Sequence, residues 1–206
     1  MNREITVPVR ALATSMFVLF ASQASAEIAG GGVTGGSSGG SFAEIAPPPQ
    51  AGPDTFQAPD LFAFNEVQDL LLIEPLPLSG GQVLGAGSIV SSHYVAFDPA
   101  GPSSLAGFVD FDEPILGLIG GPAGLDATNG LLGAPGVLYG GAPAIGPDMN
   151  DQASIAPGMP NRLLVQYGAA SPGDHLRVIT GTPVPEPTLL MLGGVAITSA
   201  VLMRQP

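Results

Sequence analysis

The chain has 206 residues and a formal net charge of −12, and all five of its basic residues are arginines. Because phosphate backbones require a basic surface, we expect no nucleic-acid partner. The absence of cysteine excludes disulfide scaffolds, thiolate zinc sites, iron–sulfur clusters and cysteine nucleophiles. Thirty glycines and 22 prolines place the composition near that of low-complexity segments.

Residues 1–26 have the three parts of a secretory signal peptide. A positively charged start precedes an apolar run, ALATSMFVLFA at 11–21, which is too short to span a bilayer. Ala24 and Ala26 are the small residues of an A-x-A cleavage site. We predict that signal peptidase cleaves after Ala26, so that the protein is exported with Glu27 as its first residue.

Residues 27–60 are predicted to form a disordered linker. Residues 30–40 read GGGVTGGSSGG, and five prolines follow between positions 47 and 59. Gly/Ser-rich chain behaves as flexible coil, and proline-rich chain behaves as an extended spacer. We therefore expect a Gly/Pro-rich tether ahead of the folded domain.

Residues 61–182 are predicted to form one all-β domain, a sandwich or jelly-roll-like fold. Short apolar runs recur between Gly, Pro, Asp and Ser, a pattern typical of short strands joined by turns. The predicted strands are 62–68, 70–74, 88–97, 105–112, 115–119, 136–139, 162–168 and 175–180. The uncharged stretch 127–147 is expected to be a glycine-rich strand-and-loop region.

Alternation along the strands predicts which side chains face the core. Leu176 and Val178 are expected to point inward, which leaves His175 and Arg177 outward. His93 is expected to be half-buried, with its ring hydrogen-bonded to the backbone. No sequence spacing joins either histidine to a serine as in a catalytic triad, and a two-histidine zinc site lacks a third ligand.

The densest acidic cluster is Asp110-Phe111-Asp112-Glu113. On a strand, Asp110 and Asp112 share one face about 7 Å apart. They are our candidate ligands for Ca²⁺, which takes six to eight oxygen ligands, and the alternative is a solvated outer face. Further ligands would come from the loop carboxylates Asp98, Asp126, Asp148 or Asp151. The spacing of the same acids also fits the carboxylate pair of a glycosidase, but spacing is the only one of that pair's requirements that the sequence meets.

The C-terminal segment 184–206 has three parts in a fixed order. A Pro-Glu-Pro motif (Pro185, Glu186 and Pro187) precedes the uncharged stretch 188–203, and Arg204 follows. As a helix, that stretch is roughly 24 Å long, close to the hydrocarbon thickness of a bilayer. We predict a transmembrane helix over 188–203.

This tail resembles the PEP-CTERM sorting signal of Gram-negative bacteria, which is also catalogued as the ice-binding protein C-terminal domain. The resemblance implies that an exosortase reads the Pro-Glu-Pro motif. It also implies an inner-membrane intermediate that is anchored by the C-terminal helix and retained by Arg204. The protein would then reach the cell envelope or the extracellular space.

Three internal runs resemble a β-rich module that precedes such tails in exported bacterial proteins. They are SSHYVAFDPAG at 91–101, GFVDFDEPILGLI at 107–119 and SPGDHLRVIT at 171–180. The resemblance implies a β architecture and adds nothing about mechanism. We expect a non-enzymatic envelope or matrix protein that needs no cofactor, with calcium at Asp110 and Asp112 as the one candidate ion. Exopolysaccharide is the candidate partner. The alternatives are a calcium- or carbohydrate-binding recognition module and, third, a secreted hydrolase.

Overall fold

The computed structural model describes residues 26–140, 151–170 and 172–181. Within these ranges the chain is mostly β-strand, with one α-helix, α1 (Pro122–Leu132), and one 3-10 turn at Ser79–Gly81. The strands are β1 (Ile28–Gly36), β2 (Phe42–Glu44), β3 (Gln50–Ala51), β4 (Leu61–Asn65), β5 (Leu70–Leu71), β6 (Leu76–Pro77), β7 (Val83–Leu84), β8 (Ile89–Phe97), β9 (Ser103–Phe111), β10 (Ile115–Gly120), β11 (Leu138–Tyr139), β12 (Gln152–Ala156), β13 (Met159–Ala169) and β14 (Asp174–Thr180).

Two main sheets face each other in a sandwich-like arrangement. A four-stranded antiparallel sheet has the order β1-β9-β13-β12. A six-stranded sheet has the order β10-β14-β8-β4-β2, with β5 also paired to β8. Its strand pairs are antiparallel except β2 and β4, which are parallel. The small pairs β3–β11 and β6–β7 lie outside these sheets. The β-sandwich prediction is therefore confirmed at this level, and each of the eight predicted strands overlaps an observed one.

The main core lies between the two sheets and follows from alternation along the strands. In β9, Leu105, Val109 and Phe111 are buried, while Phe108 and Asp110 between them are only half-buried. The three buried side chains, Leu105, Val109 and Phe111, pack against Val95 and other apolar residues of the six-stranded sheet. Apolar burial of this kind is the main favourable term in folding.

The central strands β14 and β8 of the six-stranded sheet are buried on both faces. Every residue of β14 is buried, as is every residue of β8 after Ile89. On the outer face, Tyr94 packs in a cluster with Leu125 of α1, and Ile179 packs in another with Leu132 of α1. Helix α1 and the neighbouring loops therefore cover a face that a simple two-sheet sandwich exposes to water.

Helix α1 corrects the sequence prediction for 127–147. Its first residue is Pro122, whose fixed φ suits the first turn of a helix. Gly124 and Gly130 lie inside it and weaken the helical signal, because glycine is a poor helix former. Residues 127–132 are therefore helical, and the short strand β11 follows. Residues 141–150 lie outside the described residues.

The predicted disordered linker over 27–60 is wrong for the residues that form β1, β2 and β3. Strand β1 pairs with β9 over nearly its whole length. A Cβ atom on Gly31 would lie 2.5 Å from the Phe42 ring, and one on Gly32 would lie 2.9 Å from the Phe108 ring. The glycines therefore admit two aromatic rings close to the strand backbone, and they do not indicate flexible coil here.

Replacing Ile28 with alanine tests whether β1 belongs to the core. Ile28 is only 6% exposed, and it packs in the core between the sheets. We expect the Ile28→Ala variant to lose about 2–3 kcal/mol of unfolding free energy in urea denaturation. The matched control is Ile73→Ala, because Ile73 is 84% exposed and should change the value by less than about 0.5 kcal/mol. Equal values for the two variants would restore the tether interpretation.

The two predicted targeting segments fall largely outside the described residues. Residues 1–25, including Ala24, and residues 182–206, including the Pro-Glu-Pro motif, Arg204 and the predicted helix 188–203, are not described. Among the described residues, no helix is long and apolar enough to cross a membrane.

Candidate functional site

Asp110 lies on the outer face of β9, as alternation predicts, and its carboxylate is paired. Nε and Nη2 of Arg162 donate to the two carboxylate oxygens of Asp110 at 2.6 and 2.7 Å. The two residues sit opposite each other in the β9–β13 register. The guanidinium group of Arg162 also lies 4.2 Å from the centre of the Phe108 ring. Both carboxylate oxygens of Asp110, which we predicted to bind calcium, therefore accept hydrogen bonds from Arg162.

Asp112 lies just beyond the end of β9 and contacts the start of β1. Its Oδ1 accepts a hydrogen bond from the backbone N–H of Glu27 at 2.6 Å. Its own backbone N–H donates to the carbonyl of Glu27 at 3.1 Å. Asp112 thus joins two chain segments. Over 26–140, 151–170 and 172–181, no three His, Cys, Asp or Glu side chains are grouped so that they could hold a metal ion.

The other carboxylates considered for calcium do not converge on this pair. Oδ2 of Asp98 accepts the backbone N–H groups of Phe56 and Gln57 at 2.8 and 3.4 Å. Oδ1 of Asp151 accepts the N–H of Gly168 at 2.7 Å. Asp126 is exposed on α1, and Asp148 lies outside the described residues. Asp98 and Asp151 therefore each bind a different segment of backbone.

His93 is fully buried between the sheets and is bonded to side chains rather than to the backbone. Oδ1 of Asn65 accepts from the N–H of Ile28 and lies 2.7 Å from Nδ1 of His93. An acceptor at Asn65 implies that Nδ1 carries the ring proton. Nε2 then accepts from the hydroxyl of Thr180 at 2.8 Å. Burial lowers the pKa of His93 to about 3, so the ring is neutral and fully bonded.

The prediction that His175 and Arg177 face solvent is wrong. Both residues have zero exposed area, because α1 and neighbouring loops cover the outer face of the six-stranded sheet. The His175 ring lies 5.6 Å from the Tyr94 ring, and its Nε2 donates to the carbonyl of Pro172 at 3.3 Å. Burial lowers the pKa of His175 to about 4.

Arg177 forms a fully buried ion pair with Glu66, and this pair is the centre of a polar network. Its Nε donates to Oε2 of Glu66 at 2.6 Å, and its Nη2 donates to Oε1 at 2.8 Å. The hydroxyl of Ser92 donates to Oε2, and that of Tyr139 donates to Oε1, both at 2.5 Å. The Glu66 carboxylate therefore accepts four hydrogen bonds.

The same network attaches helix α1 to the sheet. Nη1 of Arg177 donates to the hydroxyl of Thr128 at 2.5 Å and to the carbonyl of Leu125 at 3.3 Å. Its Nη2 also donates to Oδ1 of Asn129 at 3.1 Å. Burial, and then the nearby Glu66 carboxylate, raises the pKa of Tyr139, so its hydroxyl stays protonated as a donor. One guanidinium group thus connects β14, the residue after β4, and α1.

This arrangement holds elements together and leaves no group for acid–base chemistry. A general acid or base needs a proton site within reach of a substrate. Both Glu66 oxygens are engaged, and the Glu66 and Arg177 side chains have no exposed area. The Glu66–Arg177 network was not predicted from the sequence. Its only signal was Arg177, which lies on the face of β14 opposite to the face that alternation assigned to the core.

An apolar cavity of about 460 Å³ lies beside α1. Its walls include Leu72, Leu76 and Ile119, which belong to the same apolar cluster as Ile179 and Leu132, and Leu131 of the helix. Thr128 also lines it, but its hydroxyl is already bonded to Arg177 and to the carbonyl of Gly124. The cavity is therefore a hydrophobic recess without converging catalytic groups.

No protein-family model matches this chain, and no curated protein or solved structure does so either. The described residues form several defined polar arrangements, among them the buried Glu66–Arg177 network and the contact between Asp112 and Glu27.

Proposed function

We propose that this protein is an exported, non-enzymatic component of a Gram-negative cell envelope or extracellular matrix. Signal peptidase removes residues 1–26, and the C-terminal segment 184–206 anchors the chain transiently in the inner membrane. An exosortase then processes the chain at Pro185–Pro187. The product delivered is a single-domain β-sandwich.

The observation that carries this proposal is where the strands begin and end. Strand β1 begins at Ile28, two residues after the proposed cleavage at Ala26, and β14 ends at Thr180, ahead of the Pro-Glu-Pro motif. Both targeting segments can therefore be removed while every described strand stays intact. An exported domain that loses a targeting segment at each end requires this arrangement.

The burial of Ala26 orders the proposed events. Ala26 is 3% exposed, and Glu27 after it is hydrogen-bonded to Asp112. A peptidase needs an extended and accessible chain, so cleavage precedes the pairing of β1 with β9. The signal peptide is therefore removed from the chain before the sandwich closes.

A non-catalytic role is supported by the way the polar side chains are used. The Glu66 carboxylate is saturated with donors, and the His93 ring is bonded at both nitrogens. Asp110 is paired with Arg162. These residues hold the sandwich together, which suits a protein that persists outside the cell.

Intact-mass measurement of the exported protein tests this function. We express the full chain in a Gram-negative host that contains an exosortase, and we expect the exported form to begin at Glu27 with the tail removed or modified. The matched control is Glu186→Ala, which should keep the unmodified tail and remain in the membrane fraction. A full-length, soluble chain inside the cell would contradict the proposal.

A further inference from the structure

The start of β1 is held against a carboxylate by the Glu27 nitrogen itself and by the contacts that follow it along the chain. The backbone nitrogen of Glu27 lies 2.6 Å from Oδ1 of Asp112, and the Glu27 carbonyl accepts the Asp112 N–H. The next N–H, that of Ile28, donates to Oδ1 of Asn65 at 3.3 Å, and the Ile28 side chain is buried. The position of the Glu27 nitrogen is therefore fixed by the fold.

We propose that Asp112 is the binding site for the α-ammonium group of Glu27 that signal-peptide cleavage creates. This inference rests on the proposed function, in which the bond between Ala26 and Glu27 is hydrolysed. The C–N bond breaks, the hydroxyl of water joins the Ala26 carbonyl carbon, and a hydrogen joins the Glu27 nitrogen. The new carboxylic acid then passes its proton to the new amine.

Cleavage changes the charge on an atom that already touches Asp112. An amide nitrogen is neutral, whereas an α-amino group has a pKa of about 7.7–8.0 and is protonated at pH 7. The donor to Oδ1 of Asp112 thereby changes from a neutral amide N–H to a cation, so that the hydrogen bond becomes part of an ion pair. The contact between β1 and β9 is therefore stronger in the cleaved chain than in the precursor.

No arginine among the described residues competes for Asp112. Arg162 and Arg177 are the only basic Lys or Arg residues among those described, and each is already in an ion pair, with Asp110 and Glu66. The chain carries a net charge of −12. An α-ammonium group is thus the one new cation that processing supplies to this acidic surface.

The absence of lysine makes this cation directly measurable. In a chain that begins at Glu27, the α-amino group is the only primary amine, so an acetylating N-hydroxysuccinimide ester modifies that nitrogen selectively. The protein is residues 27–206 in detergent, released from a fusion by a protease that leaves Glu27 first. Intact mass then reports the acetylation rate at pH 7.

We expect Asp112→Asn to accelerate acetylation about two- to fivefold, the ratio set by an exposed ion pair. Asparagine keeps an acceptor for the Glu27 nitrogen, so the strand contact is retained. The matched control is Asp151→Asn, because Asp151 also accepts a backbone N–H at 2.7 Å but lies elsewhere. This control should acetylate at the parent rate.

Two further measurements keep the result independent of folding defects. Acetylation should lower the melting temperature of the parent chain by about 1–3 °C and leave that of Asp112→Asn unchanged. In a chain that begins at Ala26, Asp112→Asn should leave the acetylation rate unchanged. Equal acetylation rates for the parent and Asp112→Asn in the Glu27 chain would overturn the inference. N-terminal sequencing of the exported protein tests the cleavage site separately, so a different first residue refutes the cleavage position and not the ion pair.

Discussion

Replacing Arg177 with methionine is expected to lower the free energy of unfolding by about 3–5 kcal/mol. Methionine fills much of the volume of the arginine stem but leaves the buried Glu66 carboxylate without its cation. Thr128 and Asn129 of α1 lose their guanidinium partner at the same time. Urea denaturation followed by circular dichroism measures the change.

The matched control for this prediction is Arg162→Met. Arg162 also pairs with an aspartate at 2.6 Å, but its side chain is 31% exposed, so the expected loss is much smaller than that of Arg177→Met, because water screens an exposed ion pair. The double variant Glu66→Leu/Arg177→Met should recover much of the stability lost in Arg177→Met, because it removes both buried charges. Similar losses for Arg177→Met and Arg162→Met would contradict the buried-network interpretation.

The stability of the protein is expected to fall as the pH drops from 7.5 to 5. Burial lowers the pKa of His93 to about 3 and that of His175 to about 4, whereas both titrate near 6.5 in the unfolded chain. Below pH 6.5 the unfolded chain therefore binds protons that the folded chain does not bind. The effect is absent above pH 7. At pH 5 it lowers the free energy of unfolding by about 2 kcal/mol per histidine.

Nuclear magnetic resonance of the two histidine rings measures this effect directly, since the chain has only two histidines. Asp98 acts in the opposite direction, because desolvation by burial raises its pKa and the folded chain gains a proton there. Comparison with His93→Gln isolates one histidine: the pH slope of the unfolding free energy between 6 and 5 should shrink by about 1.2 kcal/mol per pH unit. A ring that titrates near pH 6.5 in the folded protein would contradict the prediction.

Strand positions were predictable because local alternation and turn residues define them. Val109 and Phe111 alternate with Asp110 and Asp112, and the structure places the first two in the core. Strand β1 was not predictable in this way. Its glycines are explained by the Phe42 and Phe108 rings that lie against it, and neither contact follows from a local pattern, because Phe108 comes from β9 and Phe42 from the next strand, β2.

The polar sites were less predictable because they depend on a second covered face. Alternation correctly separated Leu176 and Val178 from His175 and Arg177, but it could not reveal that α1 covers the outer face of β14. Glu66 lies 111 positions from Arg177, and no spacing rule relates them. The calcium site at Asp110 stays a prediction, and the sequence did not reveal Arg162, which becomes the neighbour of Asp110 only through the β9–β13 register.

The register of the outermost strands has a consequence for folding speed. Ile28 pairs with Phe111, and Ile115 pairs with Thr180, so both sheets are completed by residues far apart in the chain. Topologies of such high contact order fold slowly, because long loops must close before their contacts stabilise anything. In the proposed export route, this delay keeps the newly made polypeptide loose enough to cross a bilayer before its sheets assemble.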